Sequence, residues 1–446
     1  MTDIYNPRIW RGRFKKALVL EHPHPDLDGY LEKMGIEVER MDSPPDTEQE
    51  LVEILKRGGH NLIFKRSRVQ ITQAVVDATP NLFGVMLCCI GDDSVDKEAC
   101  ARAGIMVCND PISNARSVVE MVLGEMIVMS RRLVEAVTAT DAHQWTKSGT
   151  ARYELKGKTL GVIGLGNIGK QVAQVCAAFG MKIAFYDNRE VAREVGDLLG
   201  WRSLGSVREV FEQSHVVTLH VSATDYQGRS NVGLVTREDL MSFGTNVETP
   251  GPKLFVNAAR GVIYEPEDLL AAVKAGSVEY AFVDVFPQEP RRKGEVWRNP
   301  YADEPRIYGT PHIGASTQEA QPRIARHVAG TTRAFSCAGR VRNCVFSPKH
   351  PIGIPEGVSP SHMLAVVHSD RRGTKKAIDE TIYEAGLSNL SSVHRDFPDY
   401  GIAYDVNALD GALTDEQIKG LIERSIANTG DPTSIRSVRV IEVCPS

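Results

Sequence analysis

Arg260, Glu289 and His312 are the side chains whose types and spacing suit one piece of chemistry. They stand in Asn257-Ala258-Ala259-Arg260-Gly, Asp284-Val-Phe-Pro-Gln-Glu289-Pro and Thr310-Pro-His312-Ile313-Gly314-Ala315. Reducing a 2-keto acid, or oxidising the matching alcohol, needs something to hold the carboxylate, something to polarise the carbonyl and something to move a proton. The planar fork of Arg260 suits the first two tasks. An imidazole can give and take a proton near neutral pH, which suits His312 to the third, with Glu289 orienting the ring. Each has an ordinary structural reading when taken alone: a surface arginine, a loop Glu-Pro, a satisfied histidine. Their joint order, each just past the expected end of a strand, puts them on the edge where open α/β sheets bind ligands.

The hydride needs a carrier, and Lys158-Thr-Leu-Gly-Val-Ile-Gly164-Leu-Gly166-Asn167-Ile168-Gly169 offers a place for one. Gly164 permits a tight turn after an apolar strand, Gly166 lets backbone approach a pyrophosphate, and Gly169 lets a helix over 167–179 pack closely on the sheet. The pyrophosphate then sits on the positive end of that helix. A lone glycine motif is weak evidence, but Asp187 follows Gly169 by 18 residues, close to the ~20 expected of a ribose-binding acid. This spacing predicts NAD rather than NADP, with Arg189 the residue that complicates the preference.

A chain of 446 residues holds about three domains. Its net charge of −5 argues against a broad basic face for nucleic acid or anionic lipid, and leaves small anions held by local cations as the natural ligands. The eight cysteines include no C-x-x-C pair, so reduced thiols and no metal site are expected. No apolar leader core and no run of ~18 apolar residues is visible, which predicts a cytoplasmic protein.

Short apolar runs at 17–20, 62–64, 85–89 and 106–108 alternate with helical stretches, and a second series follows at 160–163, 182–186, 216–220, 254–258 and 280–285. Nearly all-apolar strands are those of parallel sheets buried on both faces. Residues 346–361, rich in Pro and Gly, read as a linker. Beyond it, 363–368, 375–385, 390–396, 400–406, 415–427 and 435–442 read as β-α-β-β-α-β, the ferredoxin-like order.

Taken together, the Arg260, Glu289 and His312 motifs resemble the signatures of the D-isomer-specific 2-hydroxyacid dehydrogenases. The resemblance covers nearly all of residues 14–446. It narrows to the branch with a short C-terminal ACT domain that acts on 3-phosphoglycerate, through Arg66-Ser67-Arg68, Cys89-Ile90-Gly91, Ser113-Asn114-Ala-Arg116-Ser-Val and Ser316-Thr-Gln-Glu-Ala-Gln321. It implies NAD-dependent oxidation of 3-phosphoglycerate to 3-phosphohydroxypyruvate, the first committed step of L-serine biosynthesis. Arg66, Ser67, Asn114 and Gln321 would contact the phosphate end, and Ile90 and Gly91 would line the substrate. Lys147, in Trp145-Thr-Lys147, would reach in from a neighbouring subunit. Ala258, Ala259, Asp284, Ile313, Gly314 and Ala315 would line the cofactor.

The implied fold class is α/β. A flavodoxin-like substrate domain (14–112 and 317–345) holds an inserted NAD-binding Rossmann domain (113–316), with the catalytic cleft between them. The linker 346–361 leads to a ferredoxin-like ACT domain (362–446), and a homodimer or homotetramer forms through the Rossmann domains. Two departures stand out. The ACT loop reads His368-Ser-Asp370-Arg-Arg372-Gly, and Ser388 stands where a second asparagine is expected, so weak or absent inhibition by L-serine is predicted. Residues 244–253 lengthen a loop without a functional reason. Two alternatives remain open from sequence: a reductase of hydroxypyruvate, glyoxylate or 2-ketoglutarate, and an NAD-sensing corepressor-like protein.

Overall fold

The computed structural model describes residues 6–41, 43–225, 229–290, 294–346 and 351–443. The chain forms two compact units, one of Met1–Pro111 with Gln321–Ser446 and the other of Ile112–Ala320. Sequence placed the corresponding boundaries at 112/113 and 316/317.

The middle unit is built on seven parallel strands in the order Ile307–Gly309, Tyr280–Val283, Leu254–Asn257, Val216–Leu219, Thr159–Ile163, Lys182–Tyr186 and Arg202–Ser203. This is the doubly wound dinucleotide-binding order with one added edge strand. Val216–Leu219, Leu254–Asn257 and Tyr280–Val283 are buried throughout, as strands covered on both faces must be. Past Asn114 run two helices: Ala115–Arg131 ends where Arg132 turns left-handed at φ 52°, and Leu133–Asp141 follows from it.

The loop at 244–253 seals the sheet edge opposite the ligand edge. The His215 ring takes the Thr159 N–H on Nδ1 at 3.0 Å and so donates from Nε2 to the Thr249 carbonyl at 2.8 Å. Lys158 Nζ reaches the Pro250 carbonyl at 2.6 Å. The extra residues therefore close backbone groups at the start of Thr159–Ile163.

The first unit holds a five-stranded parallel sheet in the order Glu37–Arg40, Lys16–Val19, Leu62–Lys65, Gly84–Leu87 and Met106–Cys108, the flavodoxin-like arrangement. It also holds a β-α-β-β-α-β module with antiparallel strands Ile435–Glu442, His362–Ser369, Ile402–Leu409 and Asn389–Phe397. One sheet face packs on the helices Thr374–Glu384 and Asp415–Thr429 through Leu364, Val366, Ile378 and Leu421. The other joins the core of the parallel sheet through Met363, Ala365, Val367 and Tyr404.

A strand unforeseen in the sequence, Arg8–Arg11, adds in parallel beside Ile435–Glu442. Its Arg8 guanidinium donates to the carbonyls of Val76, Thr79, Leu82 and Ala103, tying this edge to the parallel-sheet half. Arg439, 2% exposed, lies 3.8 Å over the Phe14 ring and donates to the Phe335 and Ser336 carbonyls. In the expected linker, Phe346, Ile352 and Ile354 are buried, and Val341 and Ile352 exchange both backbone bonds. Residues 352–354 are therefore packed chain, drawn into the shared core by their apolar side chains, while 347–350 of the expected linker lie outside the described residues.

Candidate active site

The nucleotide turn shows why three glycines are needed. Gly164 has φ 94°, and an added Cβ there would lie 2.7 Å from the His220 carbonyl oxygen. A Cβ on Gly169 would overlap the Gly164 carbonyl oxygen, so the helix Asn167–Ala178 starts against the turn itself. Above Gly166 the nearest atom to an added Cβ is Arg189 Nη2, at 4.0 Å. Backbone is thus open where a pyrophosphate would rest on the helix N-terminus beside Asn167 and Ile168, and these residues fit a dinucleotide.

Asp187 is 6% exposed, just after the strand Lys182–Tyr186. Its Oδ2 accepts from the Leu165 N–H at 2.8 Å, which fixes the acid to the glycine turn. Arg189 grips both carboxylate oxygens, at 2.9 and 2.6 Å, and donates its own N–H at 2.9 Å. Burial works against the charged form, but the bonds from Arg189 and Leu165 outweigh it and hold the carboxyl below its usual range. The guanidinium is therefore committed to the carboxylate, beside the position a ribose would occupy.

Past the strand Leu254–Asn257, Asn257 folds the next turn: its Oδ1 accepts from Ala259 N–H at 3.0 Å and its Nδ2 donates to the Arg260 carbonyl at 2.9 Å. Gly261 abuts the Phe286–Pro287 peptide so closely that a Cβ would overlap it, which lays the Arg260 turn against the Glu289 loop. Glu289 accepts from the Phe286 N–H at 3.1 Å and, through Oε2, meets His312 Nδ1 at 2.8 Å. Burial raises the Glu289 pKa, but the hydrogen bond and charge of His312, with the Arg260 charge, outweigh it and hold Glu289 below the usual carboxylate range. The His312 side chain is 45% exposed, and with Nδ1 on Glu289 the nitrogen left to exchange a proton is Nε2.

His312 itself is left-handed, at φ 54°. Asp284, 2% exposed, enforces this: Oδ1 accepts from Thr310 Oγ1 at 2.6 Å and Ile313 N–H at 2.8 Å, and Oδ2 from Gly314 N–H at 2.8 Å. A Cβ on Gly314 would press Met121 and Asp284, so the segment carrying Ile313, Gly314 and Ala315 lies tight on the helix Ala115–Arg131. Asn114, 7% exposed at the head of that helix, keeps Oδ1 enclosed without a hydrogen-bond partner. Lys147 is exposed, in the segment after Leu133–Asp141.

In the other unit, Arg66 and Ser67 follow the strand Leu62–Lys65. Their loop is held by a residue the sequence reading passed over. Glu21, 7% exposed and left-handed at φ 66°, accepts from the N–H groups of Arg66, Arg68 and Val69 at 2.5–3.1 Å. Its position just after an apolar strand was the available signal. Ile90 donates no side-chain chemistry, but its carbonyl accepts from Asn109 Nδ2 at 2.6 Å, and the Gly91 carbonyl takes the Cys89 thiol. Gln321 begins the second segment of this unit, near the start of the helix Ala320–Ala338.

Residues 123–314 match the model of the D-isomer specific 2-hydroxyacid dehydrogenase, NAD binding domain. The chain is 33% identical to the D-3-phosphoglycerate dehydrogenase of Haemophilus influenzae over 353 residues, 79% of this chain and 82% of the relative. It is 30% identical to D-3-phosphoglycerate dehydrogenase 1 of Saccharomyces cerevisiae, over 94% of this chain and 87% of that one. Among solved structures, a glyoxylate reductase from Paecilomyes thermophila shares the fold, with a TM-score of 0.63 and 24% identity, over 74% of this chain and 98% of that chain.

Proposed function

The chain belongs to the D-isomer-specific 2-hydroxyacid dehydrogenase family, among its D-3-phosphoglycerate dehydrogenases, and from that premise we propose that it oxidises 3-phospho-D-glycerate to 3-phosphohydroxypyruvate, and the reverse. It is an NAD-dependent oxidoreductase; NAD, when bound, takes or gives the hydride at the substrate carbon. The observation that carries the proposal is the Glu289–His312 pair set beside Arg260 at the edge of a dinucleotide-binding sheet.

In the oxidation, His312 Nε2 accepts the hydroxyl proton, and Glu289 on Nδ1 steadies the imidazolium that results. In the reduction the same nitrogen returns the proton to the carbonyl oxygen. Arg260 forks onto the carboxylate and polarises the carbonyl. A chain of net charge −5 must hold the phosphate with a local cation, and Arg66, with Ser67, Asn114 and Gln321, takes that role in this reading. The exposed Leu133, Val134, Val137 and Trp145, the last 88% exposed, support self-association that would bring Lys147 to a neighbouring site.

The test is NADH formation from 3-phospho-D-glycerate and NAD. Turnover is expected, with Arg66→Ala raising KM at least about tenfold as a charge-assisted contact is lost. Absence of turnover would remove the assignment, and an unchanged KM in the variant would remove Arg66 from it.

A further inference from the structure

The helix-covered face of the C-terminal sheet is apolar at Leu364, Val366, Val438 and Val440. In its middle stands a carboxylate with no exposed surface, Asp405, paired across the strands with Val366 and His394. His368, two residues beyond Val366, falls on the same face. His368 Nε2 lies 2.6 Å and His394 Nδ1 2.9 Å from one and the same atom, Asp405 Oδ2. The ring centroids are 5.6 Å apart.

The outer nitrogens are both tied down. His368 Nδ1 faces the Ser369 carbonyl at 2.7 Å, and His394 Nε2 faces Asp396 Oδ1 at 2.8 Å. These oxygens only accept, so each outer nitrogen carries a hydrogen, and the inner nitrogen of each ring meets Asp405 Oδ2 either through a second proton or, once that proton leaves, with a lone pair. Two nitrogens meeting one carboxylate oxygen call for positive charge there, which ring protons supply or a metal ion supplies in their place. Histidines whose far N–H is held by a carbonyl or carboxylate are the arrangement found around metal-bound imidazoles.

Charge argues the same way. Around the rings stand Asp405, Asp396 and Asp379 against Lys375, whose Nζ is 3.1 Å from Asp405 Oδ1 and 2.9 Å from Asp379. With neutral imidazoles this leaves two negative charges uncompensated, which one divalent ion balances.

We propose that His368 Nε2, His394 Nδ1 and Asp405 Oδ2 form a divalent transition-metal site in the C-terminal module. The three ligand atoms lie within 4.8 Å of one another. Bonds of ~2.0–2.2 Å at tetrahedral angles set ligand atoms about 3.4 Å apart, so metal entry requires the two rings to withdraw from Asp405 Oδ2 by roughly 0.5–0.8 Å. The fourth position opens to water on the His394 side, where that side chain is 36% exposed, and Lys375 keeps Oδ1. Imidazole with carboxylate suits Zn²⁺ and its neighbours. The bound ion ties three strands together and binds only the folded sheet, so it raises the stability of the module.

The experiment uses the full-length protein stripped with a chelator and titrated with Zn²⁺ alone, then with Co²⁺ as a spectroscopic probe. One Zn²⁺ per chain is expected, with a rise in Tm and the visible absorption of a low-coordinate Co²⁺ site. His394→Ala, on the exposed rim, should abolish that equivalent and its Tm shift. Asp396→Asn, which leaves all three ligands, should weaken binding about 10–100-fold. No binding by the wild-type chain, or the same stoichiometry and affinity in His394→Ala, overturns the proposal.

Discussion

His312 carries the account of catalysis at the scale of single residues. His312→Ala should lower kcat by ~10²–10⁴-fold, the usual cost of losing a general acid, while NADH binding measured by fluorescence stays near wild type. A variant with normal turnover would remove His312 from the reaction. Asp187 tests the cofactor site. Because Arg189 is held on both oxygens of Asp187, Asp187→Ala should free it to meet a 2′-phosphate and raise kcat/KM with NADP at least about tenfold, narrowing the preference for NAD. These residues were legible because motif order ties each side chain to a strand end. Glu21 was not, since its task depends on meeting the backbone of residues 66–69, which only the fold brings near. The His368, His394 and Asp405 cluster was hidden for a like reason: three strands must pair before those atoms converge, and no local spacing announces them.

Among the elements, the central strands were readable as runs of apolar residues, and Lys182–Tyr186 and Ile435–Glu442 fall where the pattern put them. Of the edge strands, Met106–Cys108 and Asn389–Phe397 were readable, but others were not. Glu37–Arg40 has Val38 as its one apolar residue, and Arg8–Arg11 carries arginine at both ends, because an edge needs apolar residues on fewer sides. The helix Asn167–Ala178 was foreseen because the glycine turn fixes its start. Gly169→Ala tests that contact: a methyl overlapping the Gly164 carbonyl must push helix and turn apart, at about 1–3 kcal/mol. NAD affinity by titration calorimetry should fall about 10–100-fold with the fold retained, whereas unchanged affinity would mean that the turn is not the pyrophosphate seat.

For the whole molecule, the C-terminal module and the parallel-sheet half share one core, locked by Arg439 between Phe14 and Phe335. Composition suggested a tether at 346–361 because prolines and glycines outnumber its buried anchors. Stability should also respond to pH through His220, beneath the glycine turn. Burial pushes its pKa from 6.5 down to about 3. The unfolded chain binds that proton below about pH 6.5 and the folded chain does not, so this contribution is complete above pH 6.5 and is lost as pH falls toward 3, by up to about 1.4 kcal/mol per pH unit. Urea midpoints of His220→Asn should vary less steeply over that range than those of the wild type; equal slopes would contradict the role.

The central claim is that one site recognises a 2-keto acid bearing a phosphate, and the ratio of kcat/KM for 3-phosphohydroxypyruvate to that for hydroxypyruvate, both with NADH, measures it directly. A ratio of at least ~10² is expected, because groups placed for the phosphate are left unpaired by the smaller substrate. A ratio near or below one would contradict it.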